Sequence, residues 1–225
     1  ETDTALGWRL FTRAAELGYP PATAAVADRL LVAGAAAEDV QRGLYFLNKA
    51  ASSGYAPGEY SLGKVYLIGR HVARDAAVAA QWFTRAHERD FPPATLWLAE
   101  LYAKGLGVEA DAARAAELRK LVLPTMPVGA RNDFAWELSI SPAAELRNGA
   151  LAVEIMEVAV VERPVPAYFD TLAAAYAEAG RFDDAVRAQQ RAIDVLSPNT
   201  SAEGRASYVE RLDLYRSGRA YHEGQ

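Results

Sequence analysis

The chain has 225 residues, 47 of them alanine, with 51% hydrophobic and 24% charged side chains, no cysteine and a formal net charge of -5. Alanine is the best helix former and a poor core filler, so this load predicts closely packed helices and excludes an all-β domain. The absence of cysteine removes disulfides, Cys-ligated zinc, iron–sulfur clusters and thiol nucleophiles, and the acidic balance argues against a dedicated binder of nucleic acid or anionic membrane.

A spacing of 36 organises the first half. Gly18-Tyr19, Gly54-Tyr55 and Asp90-Phe91 recur at that interval, each followed by a proline: Pro21, Pro57 and Pro93. The phase holds through Val26, Leu62 and Leu98, through Asp39, Asp75 and Asp111, and through Gly43, Ala79 and Ala115. In this register the first element, Trp8 to Ala14, aligns with Leu44 to Ala50 and so predicts the second helix of a repeat. Its first helix would lie upstream, and with Glu1 in place of Met at the start the expectation is the C-terminal part of a longer array.

The copy at 20–55 has Ala33 where a turn glycine is expected, Gly34 one residue late, and Ala35, Ala36 and Ala37 filling the turn. In the next copy Leu62 and Tyr66 share a helical face, and Ala79, Trp82, Phe83 and Ala86 form the matching face of the following helix. Gly63 in mid-helix costs about 1 kcal/mol relative to alanine, which implies a close approach there. Gly69 is placed to end the first helix in the left-handed region, Val72 to plug the turn, and Asp75 to cap the second helix. Gly105, Val108 and Asp111 repeat that pattern one unit later, and Pro57 opens a helix where a missing N–H does no harm.

The run Leu62-Gly63-x-x-Tyr66-x-x-Gly69-x-x-Val72-x-x-Asp75, then Ala79-x-x-Trp82-x-x-x-Ala86, resembles the Sel1-like repeat, a 36-residue relative of the tetratricopeptide repeat. Leu98-Ala99-x-x-Tyr102-x-x-Gly105-x-Gly107-Val108-x-x-Asp111 resembles its turn more closely still. The resemblance covers about residues 8–122. It implies an all-α fold, a right-handed α-α superhelix of antiparallel helix pairs.

Leu123 to Gly129 breaks the rhythm with two prolines and a glycine, predicting a packed corner at 123–130. Beyond it, Tyr168 to Ala185, continuing to Ala192 and Pro198, resembles a tetratricopeptide repeat. Phe134-Ala135-Trp136-x-Leu138 with Ala152 to Ala159 looks like an irregular second copy, whose loop at Ser141 to Glu145 is longer than its neighbour's. Residues 201–216 read as an amphipathic cap with Tyr208, Leu212 and Tyr215 on one face. The predicted organisation is therefore 1–122 Sel1-like repeats, 123–130 junction, 131–200 two tetratricopeptide-like repeats, and 201–225 capping helix and tail. Charge follows the same division: residues 1–124 hold 14 basic and 14 acidic side chains, and 125–225 hold 10 and 15.

Catalytic and metal-binding patterns are sparse. His71, His87 and His222 have no ligand spacing, and no Gly-rich phosphate loop or G-x-S-x-G elbow occurs. Asp183-Asp184 reads as N-terminal charge complementing a helix dipole. No metal or cofactor is expected, and no enzymatic activity. Some cysteine-rich Sel1-like proteins are hydrolases, but this chain lacks their cysteines.

The resemblance instead implies a protein or peptide partner on the concave face lined by the first helix of each pair. Carried over by position, that face has Tyr60, Lys64 and Leu67, then Trp97, Glu100 and Lys104, then Asn132, Trp136 and Ser139, then Asp170 and Glu178. Trp97 and Trp136 are the candidate anchors. Only Lys64 and Asn132 approach the pattern of a chaperone-type carboxylate clamp, which is not assigned. A glycan or peptidoglycan binder of the envelope, with Tyr60, Trp97 and Trp136 stacking on sugars, is one alternative. A hydrolase using scattered carboxylates is another, and it requires a deep pocket with two close acids. Twenty arginines against four lysines, with the alanine load, fit a high-GC bacterial genome, and bacterial Sel1-like proteins make the periplasm the preferred compartment over the cytoplasm.

Overall fold

The computed structural model describes residues 3–32 and 34–224, and over these it contains α-helices and one 3-10 turn but no strand. The chain forms two compact units, up to Pro124 and from Thr125. The fold class is the expected one: all-α, helix pair after helix pair in the manner of an α-α superhelix.

The first unit holds α1 (Asp3–Glu16), α2 (Pro20–Leu30), α3 (Ala37–Ser52), α4 (Ala56–Ile68), α5 (Ala76–His87), α6 (Pro92–Lys104) and α7 (Ala112–Val122), each packed on the next. Local chemistry sets these limits. Prolines occupy the first turns of α2, α4 and α6, and Gly69 and Gly105 end α4 and α6 with φ of 76° and 65°. Asp75 Oδ1 accepts from the Ala77 and Val78 amides at 3.0 Å, and Asp111 Oδ1 from Arg114 at 2.8 Å. Asp90, which takes the place of Gly18 and Gly54, adopts their left-handed conformation at φ 56°.

The start of α3 departs from the register. That helix begins at Ala37, with Ala36 as an N-cap lacking any side-chain hydrogen bond, so Asp39 lies in the first turn and is not the cap. Good helix formers fill this turn, and nothing there stops the helix from extending toward its N-terminus. Ala33 lies outside the described residues.

Ala15, Val26, Ala27, Leu31, Phe46, Leu47, Ala51 and Leu62 make one core cluster, flanked by Trp8, Tyr66 and Trp82. A second, aromatic group follows: Phe83 lies 6.0 Å from Tyr60 and 6.5 Å from Trp97, and Tyr60 lies 5.4 Å from Phe91. Gly63 permits this packing. A Cβ there would stand 2.7 Å from the Phe83 ring, so the close approach inferred for this glycine is to an aromatic edge. Leu6, Leu10, Phe11, Leu17 and Tyr19 leave an exposed apolar strip along and just after α1.

The second unit comprises α8 (Val128–Ile140), a 3-10 turn (Ala144–Leu146), α9 (Gly149–Glu162), α10 (Pro166–Glu178), α11 (Phe182–Asp194) and α12 (Ala202–Arg216). The long α8–α9 connection is filled by the 3-10 turn, which buries Leu146, and Asn148 then caps α9 through the Leu151 amide at 3.2 Å. Helix α10 packs on α8, α9 and α11, and α12 packs on α11 through Leu212 and Tyr215. The Ser201 hydroxyl caps α12 at the Gly204 amide, 3.0 Å away. No helix among the described residues is long and apolar enough to cross a membrane.

Candidate partner-binding site

In the first unit the candidate face belongs to α2, α4 and α6. Leu67, Trp97 and Glu100 do not lie on it, because they are 0%, 3% and 2% exposed. Every residue from Ala94 to Leu101 is buried, since α6 packs against both α5 and α7 and retains no outward face at 97 or 100. The Trp97 ring lies nearly parallel to Phe83, at an interplanar angle of 15°, and offers no stacking surface for a sugar or a side chain.

Glu100 is paired with Arg119 of α7 and stands 3.9 Å from Lys104. Lys64 lies over the Tyr60 ring, 5.7 Å from its centre, and its charge acts on Asp28 of α2. Desolvation raises the Asp28 carboxyl above its ordinary range, against the opposing pulls of Lys64 and a Ser61 hydrogen bond. Asp28, Lys64 and Glu100 occupy equivalent positions of three successive first helices, with alternating sign.

In the second unit the equivalent face is built by α8, α10 and α12. Ser139 is buried and spends its hydroxyl on the Ala135 carbonyl at 2.7 Å, and the half-buried Asn132 amide donates to Asp133. Asp170 is also interior. Arg211 Nε and a terminal nitrogen donate to its two oxygens at 2.8 Å each, and Gln189 Nε2 donates to Oδ1 at 2.8 Å and to the Tyr208 carbonyl at 3.0 Å. Burial raises the Asp170 carboxyl above its usual range although Arg211 and Gln189 pull it down. Burial works against the charge of Arg211 too, but the facing carboxylate prevails and its pKa is raised.

Trp136 and Glu178 remain on the face, and the chain itself covers them. After α12, Gly218 turns with φ 70° and the following residues run back across α8 and α10. The Tyr221 ring meets Trp136 with centroids 6.1 Å apart. His222 Nε2 lies 2.7 Å from Glu178 Oε2, while Arg147 Nε donates to Glu178 Oε1 at 2.9 Å. The Glu223 amide donates to the Ile140 carbonyl at 2.9 Å. Arg211 sits among three rings, 5.2 Å from Tyr208, 5.7 Å from Tyr221 and 5.8 Å from Trp136. Sequence reasoning missed Arg211 and this segment; the signal for it was an aromatic–imidazole pair closely following a helix-ending glycine.

The histidines of the first unit serve the fold. His71 Nε2 reaches the Leu31 carbonyl at 3.2 Å, bridging two repeats, and His87 Nδ1 pairs with the Thr95 hydroxyl at 2.9 Å. Asp184 opens α11, and hydrogen bonding from Arg181, with the further charge of Arg187, holds its carboxyl below the ordinary range. Among the described residues no group of three His, Asp or Glu side chains is placed to hold a metal ion.

Antiparallel helix pairs, each packed on the next within a unit, define a helical-repeat protein. A family model, the Sel1 repeat, matches residues 1–19, 21–55, 56–90 and 92–118, and the chain belongs to that family. Its members are generally non-enzymatic protein-interaction scaffolds. Among solved structures, a Sel1 repeat protein from Oxalobacter formigenes is 27% identical, over 55% of this chain and 92% of its own, with a TM-score of 0.47. A protective antigen present in uropathogenic Escherichia coli strains, displaying an SLR fold, is 21% identical with a TM-score of 0.54; the match covers 96% of this chain and 45% of the antigen's. No curated protein matches.

Proposed function

We propose that this protein is a non-enzymatic scaffold that holds a partner protein or peptide on the face of α8, α10 and α12, whose helix pairs are tetratricopeptide-like. One observation carries the reading: that face already accommodates polypeptide, with Trp136 as aromatic anchor, Glu178 as charged contact and the Ile140 carbonyl as main-chain acceptor. This is the chemistry by which a groove reads an extended segment. Leu67, Trp97, Glu100 and Asp170 leave the contact set because they are interior. Tyr60, Lys64 and Lys104 remain part of a second, separate face in the first unit, and the arginine-over-lysine usage supports a bacterial source.

Affinity capture from an extract of the source organism tests the reading. A protein recovered by the wild-type chain and lost with Trp136→Ala or Glu178→Ala supports it. Equal recovery of every partner by all three proteins refutes the groove.

A further inference from the structure

The segment on the second unit's face makes several specific contacts over a very short stretch. Within three residues it uses an aromatic ring on Trp136 and Arg211, an imidazole on Glu178 and a main-chain amide on Ile140. These contacts come from two first helices and the cap, α8, α10 and α12, so the segment crosses the face and does not merely extend α12. The helix itself is closed before the segment begins. The Gly218 amide returns to the Tyr215 carbonyl and the Arg219 amide to the Leu214 carbonyl, at 3.0 and 3.1 Å, so the α12 terminus is satisfied without residues 220–224. The charged groups of the platform beneath also have partners outside this segment. Arg211 is held by Asp170, Asp170 by Gln189, and Glu178 by Arg147.

A platform whose charged groups Arg211, Asp170 and Glu178 are each paired within the fold, covered by a segment whose loss leaves the adjoining helix end capped, has the form of a binding site with an exchangeable occupant. We propose, building on the scaffold reading above, that Tyr221-His222-Glu223 is an occupant in cis of a peptide site. That site's partner in trans is an extended peptide presenting an aromatic residue directly followed by histidine. Trp136 and Arg211 select the aromatic residue, and Glu178 selects the imidazole because its other oxygen is already committed to Arg147. The Ile140 carbonyl, at the end of α8, takes the amide of the next residue and sets the direction of the chain. Since a tethered occupant acts at an effective concentration in the millimolar range for a short linker, the resident segment suppresses binding of a micromolar competitor.

The test uses the full chain and a fluorescein-labelled peptide with the sequence of residues 219–224, Arg-Ala-Tyr-His-Glu-Gly, read by fluorescence anisotropy. The wild-type protein should bind it weakly. The Tyr221→Ala/His222→Ala variant, with an unchanged helical circular dichroism spectrum, should bind at least about tenfold more tightly. Adding Trp136→Ala to that variant, or replacing Tyr and His of the peptide by Ala, should abolish the gain. Equal affinity of wild type and variant, or equal binding of the Ala-substituted peptide, overturns the proposal. If the variant loses its helical signal, hydrogen exchange on the wild type decides. Millimolar peptide should speed exchange of the Glu223 amide and leave the α12 amides unchanged, and an unaltered Glu223 rate overturns the exchange. Failure of these peptide experiments, with a captured partner still lost in Trp136→Ala, sinks this inference and leaves the scaffold reading standing. Success here with no captured partner does the reverse.

Discussion

Replacing Gly107 by alanine tests how tightly neighbouring repeats of the first unit are joined. Gly107 lies in the turn between α6 and α7 with φ +70°, and a Cβ there would stand 2.2 Å from the carbonyl carbon of Ala76, 2.3 Å from its oxygen and 2.4 Å from the Ala77 nitrogen. All three are main-chain atoms of the first turn of α5, and the Ala77 amide is held by Asp75, so no side-chain rotation relieves the contact. A left-handed alanine costs about 1–2 kcal/mol, a methyl forced into a closed contact adds about 1–3 kcal/mol, and the lower entropy of the unfolded chain offsets about 0.4–1 kcal/mol. The expected loss is about 2–4 kcal/mol, a large share of ordinary domain stability. Gly34 supplies the control in the same unit. It has φ +75° with nothing within 4 Å of its Cβ position, so Gly34→Ala carries the conformational cost alone. Urea unfolding followed by tryptophan fluorescence, reporting Trp8, Trp82 and Trp97 in this unit, should separate the two variants by about 1–3 kcal/mol. Equal losses would refute the idea that the Gly107 turn is locked to the preceding pair.

Three further outcomes follow from the same geometry. Asp90→Gly relieves a left-handed residue at a position where two other repeats already use glycine, and should raise unfolding free energy by about 0.5–1 kcal/mol in thermal or urea unfolding. Ala36→Asp supplies the side-chain cap that α3 lacks and should add about 1 kcal/mol, whereas Asp75→Ala should remove about as much, both read by circular dichroism melting. Asp170→Ala strands Arg211 and Gln189 and should cost about 3–5 kcal/mol, while restoration of most of that loss by Asp170→Ala/Arg211→Met would identify the unpaired charge as the cause. The pH dependence of this pair has a definite sign. An acid whose pKa is higher folded than unfolded adds stability that is complete below the ordinary 3.8 and fades as pH rises through the raised folded value. The stability of wild type minus that of Asp170→Asn should therefore be greatest in acid and shrink toward neutrality; a difference that grew with pH would contradict the burial argument.

Helix limits were legible in the first half because they depend on neighbours in sequence. Proline in the first turn, Asp75 and Asp111 as caps, and Gly69 and Gly105 as stops are local chemistry repeated in register. The early start of α3 escaped because alanine carries no stop signal. Solvent exposure on α4 and α6 was less legible for a different reason. A first helix inside the stack contacts helices before and after it, so apolar residues surround it and the 3.6-residue period that marks an outward face disappears. Trp97 and Leu67 therefore had no pattern to distinguish inside from outside, and Glu100 looked like surface although Arg119 and Lys104 let it be buried. The cover over Trp136 was invisible for a third reason: Tyr221 lies 85 positions away along the chain, and no repeat register links the two.

The alternating signs of Asp28, Lys64 and Glu100 bear on how near-identical units avoid assembling in the wrong order. A chain made of similar pairs can collapse with the middle pair looped out, since the apolar surfaces of any two pairs are roughly interchangeable. Here such an error would set the exposed Asp28 carboxylate beside Glu100, already paired with Arg119 and Lys104, and so forfeit its attraction to Lys64. The order of charges would thus favour the native order of units by no more than the contribution of an exposed pair, about 0–1 kcal/mol, where hydrophobic burial alone is nearly indifferent.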